Sequence, residues 1–210
     1  MPKLKIQTGA DNEILRTKSS EIKNAKAKTP RLGLSLNELA RGMKKILNEQ
    51  KGLGLAAPQV GENVRMILVR MNSGSDHEMI FVMVNPEIVE SSWSGSGSGA
   101  AGSLATGVAV GKVKKSAEMR VGSSEIENIG KTIEGIVVPE GAEVAEEGCL
   151  SLPEYYVNVI RASEITVRFL DAGSGKLAPM ILELSGLNAR VVQHEVDHLN
   201  GILICDKTVA

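Results

Sequence analysis

Near its C-terminal end the chain reads QHEVDHLNG, residues 193–201. Within it, His194 and His198 stand four residues apart. On an α-helix that spacing sets two side chains about 40° apart, so both rings can reach one metal ion. H-E-x-x-H therefore asks for a helix that presents its ligands inward. The segment 186–200 is predicted to be that helix, with Ser185 as its cap and Gly201 as its stop. Val191, His194, Glu195 and His198 share one side of it. An amphipathic helix can also carry two histidines for structural reasons. The chain has three histidines in all, and two of them at this spacing favour the metal reading.

Two ligands do not hold a catalytic metal. After Gly201 the chain has only ILICDKTVA, with no His and no Glu. Cys205 and Asp206 are the downstream candidates. Cys205 sits in the apolar run ILIC, where a buried inert thiol is expected. Upstream, His77 lies in the polar loop NSGSDHE and reads as an exposed loop histidine. Cys149 lies in EEGCLSLP behind Gly148, which permits a sharp turn, and a thiolate suits zinc or ferrous iron. A Cys/His/His set with its fourth position open is a catalytic pattern rather than a closed structural one. Taken alone, Cys149 fits a small buried hydrophobe equally well.

Composition excludes several classes. A chain of 210 residues can bury a real core, and is read here as a single domain over 1–210. Lys and Arg number 24 against 25 Asp and Glu, so nothing points to a nucleic-acid partner. The short run Lys112, Lys114, Lys115 reads as a solvated face. No stretch is long and apolar enough to span a membrane. The opening MPKLKIQTGADNEIL lacks the apolar core of a signal peptide. Two cysteines make no disulfide framework, so a reducing cytoplasm is the expected location.

Elsewhere, SLNELARGMKKILNEQK (35–51) is predicted to be a helix. Ser35 and Glu38 form a capping box, Leu36, Leu39, Ala40, Met43, Ile46 and Leu47 follow helical spacing, and Gly52 ends it. RMILVRM (65–71), MIFVMVNP (79–86), YYVNVI, EITVRFLD and KLAPMILEL read as strands, with DAGSGK (171–176) as a hairpin connection. Between them, residues 91–145 read as an insertion. It opens on the Gly/Ser/Ala-rich, flexible SSWSGSGSGAAGSLATG and continues through short apolar pieces such as VAV and GIVVP.

Three blocks in order carry a family resemblance: GLGLAAPQ (52–59), EGCLS (147–151) and QHEVDH (193–198). Together they resemble peptide deformylase, over about residues 1–90 and 146–207. The resemblance implies an α+β fold, with antiparallel sheets around a central metal-binding helix. It implies removal of the N-formyl group from formylmethionine at the start of new polypeptides, releasing formate. Cys149, His194 and His198 would be the metal ligands and Glu195 the general acid/base. Gln59 and the Leu150 N–H would bind the developing oxyanion; without the resemblance Gln59 reads as a turn residue after Pro58. Leu53, Gly54 and Gly148 would line a strand-like substrate cleft, with Val191 as a wall of the methionine pocket. Arg190 and Tyr156 would stand near that pocket. The implied cofactor is one divalent ion, usually ferrous iron, with zinc, nickel or cobalt as alternatives.

Two departures accompany the resemblance. The insertion falls where the family has a short connection, and is expected to tune access without making chemistry. The chain ends at Ala210, whereas many relatives continue into a helix that can dock on the ribosome, which puts ribosome docking by that route in question. GLGLAAPQ is no phosphate loop: it lacks the third Gly of the dinucleotide motif and the Gly-Lys-Ser/Thr of the P-loop. Two rival readings are a metallopeptidase or amidase acting on another amide, and a metal-binding module without catalysis. EGCLS and the lack of a downstream ligand count against the first. The presence of every residue assigned to the chemistry counts against the second.

Overall fold

In the computed structural model, which describes residues 4–93, 132–133, 136–172 and 177–208, short helix α1 (Glu13–Arg16) precedes α2 (Leu36–Glu49). Strand β1 (Gly54–Ala56) runs into a 3-10 turn (Ala57–Val60). Next come β2 (Met66–Met71), β3 (Met79–Ser91), β4 (Thr132–Ile133), β5 (Ile136–Val137), β6 (Ala142–Cys149), β7 (Leu152–Ala162), β8 (Glu164–Asp171) and β9 (Ala178–Ser185). Helix α3 (Gly186–Leu199) and a final 3-10 turn (Ile204–Asp206) complete the order. The main sheet is antiparallel, in the order β1-β2-β3-β8-β9, and two-stranded sheets join β4 to β5 and β6 to β7.

The sequence of β2 explains the layering. Side chains alternate across a strand. Met66 and Leu68 join a cluster with Leu39, Met43 and Leu47 of α2, while Ile67, Val69 and Met71 join another with Ala189, Val192 and Leu199 of α3. Both faces are covered, so MILVRM has no polar alternation to show. Helix α2 therefore backs one face of the sheet and α3 the other. From Ala189 to Leu199 every residue of α3 is buried except the half-buried His194. The β6–β7 pair lies against the polar residues of this helix, through the bonds described below.

The element ends show which local signals act. Ser35 caps α2 in a full capping box with Glu38. The helix stops at Glu49, two residues earlier than predicted: Lys51 takes the left-handed conformation (φ 52°), and the Gly52 N–H closes onto Leu47 O at 3.0 Å. Ser185 occupies the cap position of α3, but its hydroxyl makes no capping bond. It is also the last residue of β9, and the Gly186 N–H is instead tied to Ser163 O at 2.9 Å. Strand β3 continues to Ser91, past Asn85-Pro86, through a register irregularity between Val84 and Glu87.

Strands β8 and β9 pair as a hairpin, with Asp171 opposite Ala178, although 173–176 of the expected connection lie outside the described residues. Most of the expected insertion, 94–131, including VAV and the three lysines, also lies outside them. Its last residues, 142–145, belong to β6 and pair with β7. The flanks of the interval are neighbours: the Ser92 N–H donates to Glu164 O and the Ser163 N–H to Gly141 O, both at 2.9 Å. Among the described residues, no helix is long and apolar enough to cross a membrane.

Candidate active site

The β6–β7 turn delivers a thiol to the histidine helix. Cys149 is the last residue of β6, and the ladder register shifts between Gly148 and Cys149 before Leu152 pairs back. Cys149 Sγ lies 3.2 Å from His198 Nε2. The ligand atoms of Cys149, His194 and His198 all fall within 4.8 Å of one another. His77 stays in its exposed loop and takes no part. Cys205 is partly exposed rather than a buried inert thiol, with Sγ 3.6 Å from Arg16 Nη2. The final segment turns its apolar Leu203 and Ile204 inward and leaves the thiol beside a guanidinium.

A carboxylate orients one side of this set. His194 Nδ1 lies 2.9 Å from Glu147 Oε2. Against an ionised carboxylate that nitrogen carries a proton, which leaves Nε2 as the atom that could hold an ion. Burial works to lower the His194 pKa, but its bonds to Cys149 and Glu147 outweigh burial and raise it to about 10. An ion bound through Nε2 would have to displace the second proton of that imidazolium, the one on Nε2. Burial, helped by His194, pushes His198 well below its ordinary value, so its ring is neutral and ready to ligate. Burial also pushes the Glu195 carboxyl up to about 7, against the opposing pull of His194 and Arg161. Glu195 Oε2 and His198 Nδ1 are buried with no hydrogen-bond partner. Buried polar atoms in that condition call for a ligand or water.

Gly54 and Gln59 enclose the set from the β1 side. A Cβ at Gly54 would collide with the Glu195 carboxylate, so only glycine lets the strand pass that close. Gln59 is almost fully buried. Its Oε1 accepts from the Ala56 N–H at 2.8 Å, and its Nε2 reaches Ser151 Oγ at 3.3 Å and Cys149 Sγ at 3.6 Å. It is thus a turn residue and a donor beside the thiol at once. Leu150 follows Cys149 in the turn, its side chain packing on the α2 cluster. Gly148 sits under the exposed ring of Tyr156. Val191 is buried in the cluster between α3 and the sheet, and Leu53 packs against the same cluster.

Arg190 does not stand open near a pocket. It is buried and donates to Glu147 Oε1 (2.8 Å), Val159 O (3.0 Å) and Glu143 O (2.8 Å). Arg161, also buried, grips Glu147 with two bonds of 2.8 Å and bonds Asp197 with its third nitrogen. Against burial, which would raise it, Arg161 and His194 hold Glu147 well below the usual carboxylate range. Glu147, Arg161, Asp197 and Ser151 were given no role by the sequence. Glu147 was findable, because residues two apart on a strand share a face, and it precedes Cys149 by two. Arg161 was not, because only the folded pairing of β6 with β7 brings it there.

Three close donor atoms, a buried carboxyl oxygen without a partner and a buried amide donor match the donor chemistry of a divalent ion with an open position. A sequence model of the family described as polypeptide deformylase matches residues 4–210. The chain belongs to the polypeptide deformylase family. A peptide deformylase from Halothermothrix orenii is 32% identical over 209 residues, covering 100% of this chain and 96% of that protein. Among solved structures, a peptide deformylase from Legionella pneumophila superimposes with a TM-score of 0.66 at 27% identity, covering 98% of this chain and 86% of that one. The Met-Ala-Ser-bound class I type b peptide deformylase from Acinetobacter baumannii gives 0.63 at 28% identity, covering 97% of each chain. Peptide deformylases are enzymes, and antiparallel sheets with few helices are the fold they share with this chain.

Proposed function

We propose that the chain is an active, metal-dependent deformylase that removes the N-formyl group from formylmethionine at the start of new polypeptides and releases formate. The carrying observation is the buried Glu195 carboxyl, whose Oε2 has no partner, beside the Cys149, His194 and His198 atoms that could hold an ion. The Met-Ala-Ser held by the Acinetobacter baumannii neighbour supports a peptide in the corresponding cleft. Cys149, His194 and His198 would hold one divalent ion, ferrous iron in the cell, with zinc, nickel or cobalt able to replace it. When bound, the ion supplies Lewis acidity, lowering the pKa of a coordinating water from about 15.7 toward about 7.

The chain's own groups do the rest. Glu195 takes the proton of the attacking water as its oxygen bonds to the formyl carbon, and later gives a proton to the leaving amine nitrogen as the C–N bond breaks. A carboxyl raised to about 7 can serve in both directions near neutral pH. Negative charge grows on the formyl oxygen, where Gln59 Nε2 and the Leu150 N–H donate. A donor of this kind is worth about 3 kcal/mol in other enzymes. Leu53, Gly54 and Gly148 form the backbone edge along which the peptide lies, and Val191 walls the methionine side chain. Glu147 keeps His194 turned toward the ion. Cys149 must remain a free thiol for this role, which suits a reducing cytoplasm.

The test is formate release from a formyl-methionyl tripeptide by anaerobically prepared protein supplied with ferrous iron, beside Glu195→Ala. Release that vanishes in the variant supports the reading. A folded, metal-loaded protein that releases no formate would overturn it.

A further inference from the structure

The charged cluster under the histidine helix does not end at α3. Asp197 lies on α3 between His194 and His198, and its Oδ2 is shared by the Arg161 guanidinium and by Lys207 Nζ, the latter at 3.2 Å. Lys207 belongs to the final segment, after the chain has left the helix. That segment is pinned along its length. The Ile202 N–H donates to Asp197 O at 3.0 Å, Leu203 and Ile204 are buried, Asp206 pairs with Arg16 of α1, and Thr208 bridges to Val159 of β7. Lys207 is carried between these anchors with its side chain only 17% exposed.

We propose that Lys207 is a positioning residue for the metal centre, acting through Asp197, Arg161 and Glu147 to hold His194 in its ligating orientation. This rests on the metal-dependent reading above. The path is continuous: Lys207 to Asp197, Asp197 to Arg161, Arg161 to Glu147 by two bonds of 2.8 Å, and Glu147 to His194 at 2.9 Å. The first link is an ion pair and the others are charge-assisted hydrogen bonds, all largely shielded from solvent, where such interactions are strong and geometrically demanding. Without the Lys207 ammonium, Asp197 draws on Arg161 alone. Arg161 then divides differently between its two carboxylates, and the grip on Glu147 loosens. Direct outer partners of metal ligands are worth about 10- to 100-fold in metal affinity. Lys207 stands further out, so an effect of about five- to tenfold is expected.

The probe is Co2+, read by its visible absorption in the loaded protein and by its rate of loss to a chelator. Circular dichroism confirms the fold of each variant. Lys207→Met is expected to release cobalt about five- to tenfold faster than wild type. Lys207→Arg, which keeps the charge, is expected to release it at nearly the wild-type rate. In an Asp197→Asn background, Lys207→Met is expected to add nothing. Should Lys207→Met fail to fold, Lys207→Gln, with a polar head, takes its place in each comparison. Wild-type release from the uncharged variant, or an undiminished acceleration in the Asp197→Asn background, would overturn the proposal while leaving the metal reading intact. A wild-type protein that takes up no cobalt would overturn the metal reading, and this inference with it.

Discussion

Two residues near the ligand set carry testable weight for different reasons. Gly54 matters for what it lacks. A Cβ there would collide with the Glu195 carboxylate, and about 1 Å of displacement of a reacting group can cost about 100-fold in rate. Gly54→Ala is therefore expected to lower kcat about 100-fold while bound metal, measured by elemental analysis, stays near one equivalent. An unchanged kcat would show that Glu195 can move aside without loss. Glu147 matters for how much charge it serves: Arg161, Arg190 and His194 all bond it. Glu147→Gln leaves buried cations without their anion and is expected to destabilise the fold by about 3–5 kcal/mol at neutral pH. The pKa of Glu147 is lowered in the folded protein, so its contribution is present above the unfolded carboxyl value of about 4.3 and is lost as pH falls below it. Urea midpoints of wild type and variant should stay apart at pH 6–8 and converge in acid. A gap that widened on acidification would contradict the assignment.

Among the secondary-structure elements, the two long helices begin at serines that look alike in sequence and differ in the fold. Ser35 accepts from the Glu38 N–H, whereas the Ser185 hydroxyl caps nothing. Ser35→Ala is expected to cost about 1 kcal/mol and Ser185→Ala only a few tenths, by thermal or urea unfolding. Equal losses would mean that Ser185 is capped in solution. The predicted α2 and β8 were legible because their signals are local: a capping box with helical spacing, and a run of β-branched and aromatic residues. Strands β1 and β6 were not. GLA is too short to signal, and AEVAEEGC carries little apolar content because, among the described residues, β6 pairs only with β7 and exposes much of its surface.

The whole molecule places residues 92 and 141 side by side, through Ser163 and Glu164. An excision between them therefore has short ends to rejoin. We propose that the intervening stretch is an insertion that tunes access and makes no chemistry. Val138 is buried and should be kept. Replacing residues 94–137 with a short Gly/Ser linker is expected to leave a folded protein that still releases formate from a short formyl peptide, within a few-fold of wild type. A folded product that bound metal and released none would assign those residues to the reaction.

What could be read from the chain alone was whatever depends on neighbours in sequence. His194, Glu195 and His198 fall within one helical turn or so, and the capping and strand patterns are equally local. The three separated blocks also named the family, since each is a short contiguous string. What required the folded chain was whatever depends on the register between distant segments. The residues alone left Cys149 one candidate among several, the resemblance singled it out, and the β6–β7 turn sets its sulfur 3.2 Å from His198. Arg161 carried no signal and Arg190 was expected near the methionine pocket, whereas strand pairing and helix packing bury both on Glu147. Lys207, in an unremarkable tail, reaches Asp197 only because that tail folds back across β7. A buried ion must find its counter-ions wherever the fold delivers them, and separation along the chain does not encode that meeting.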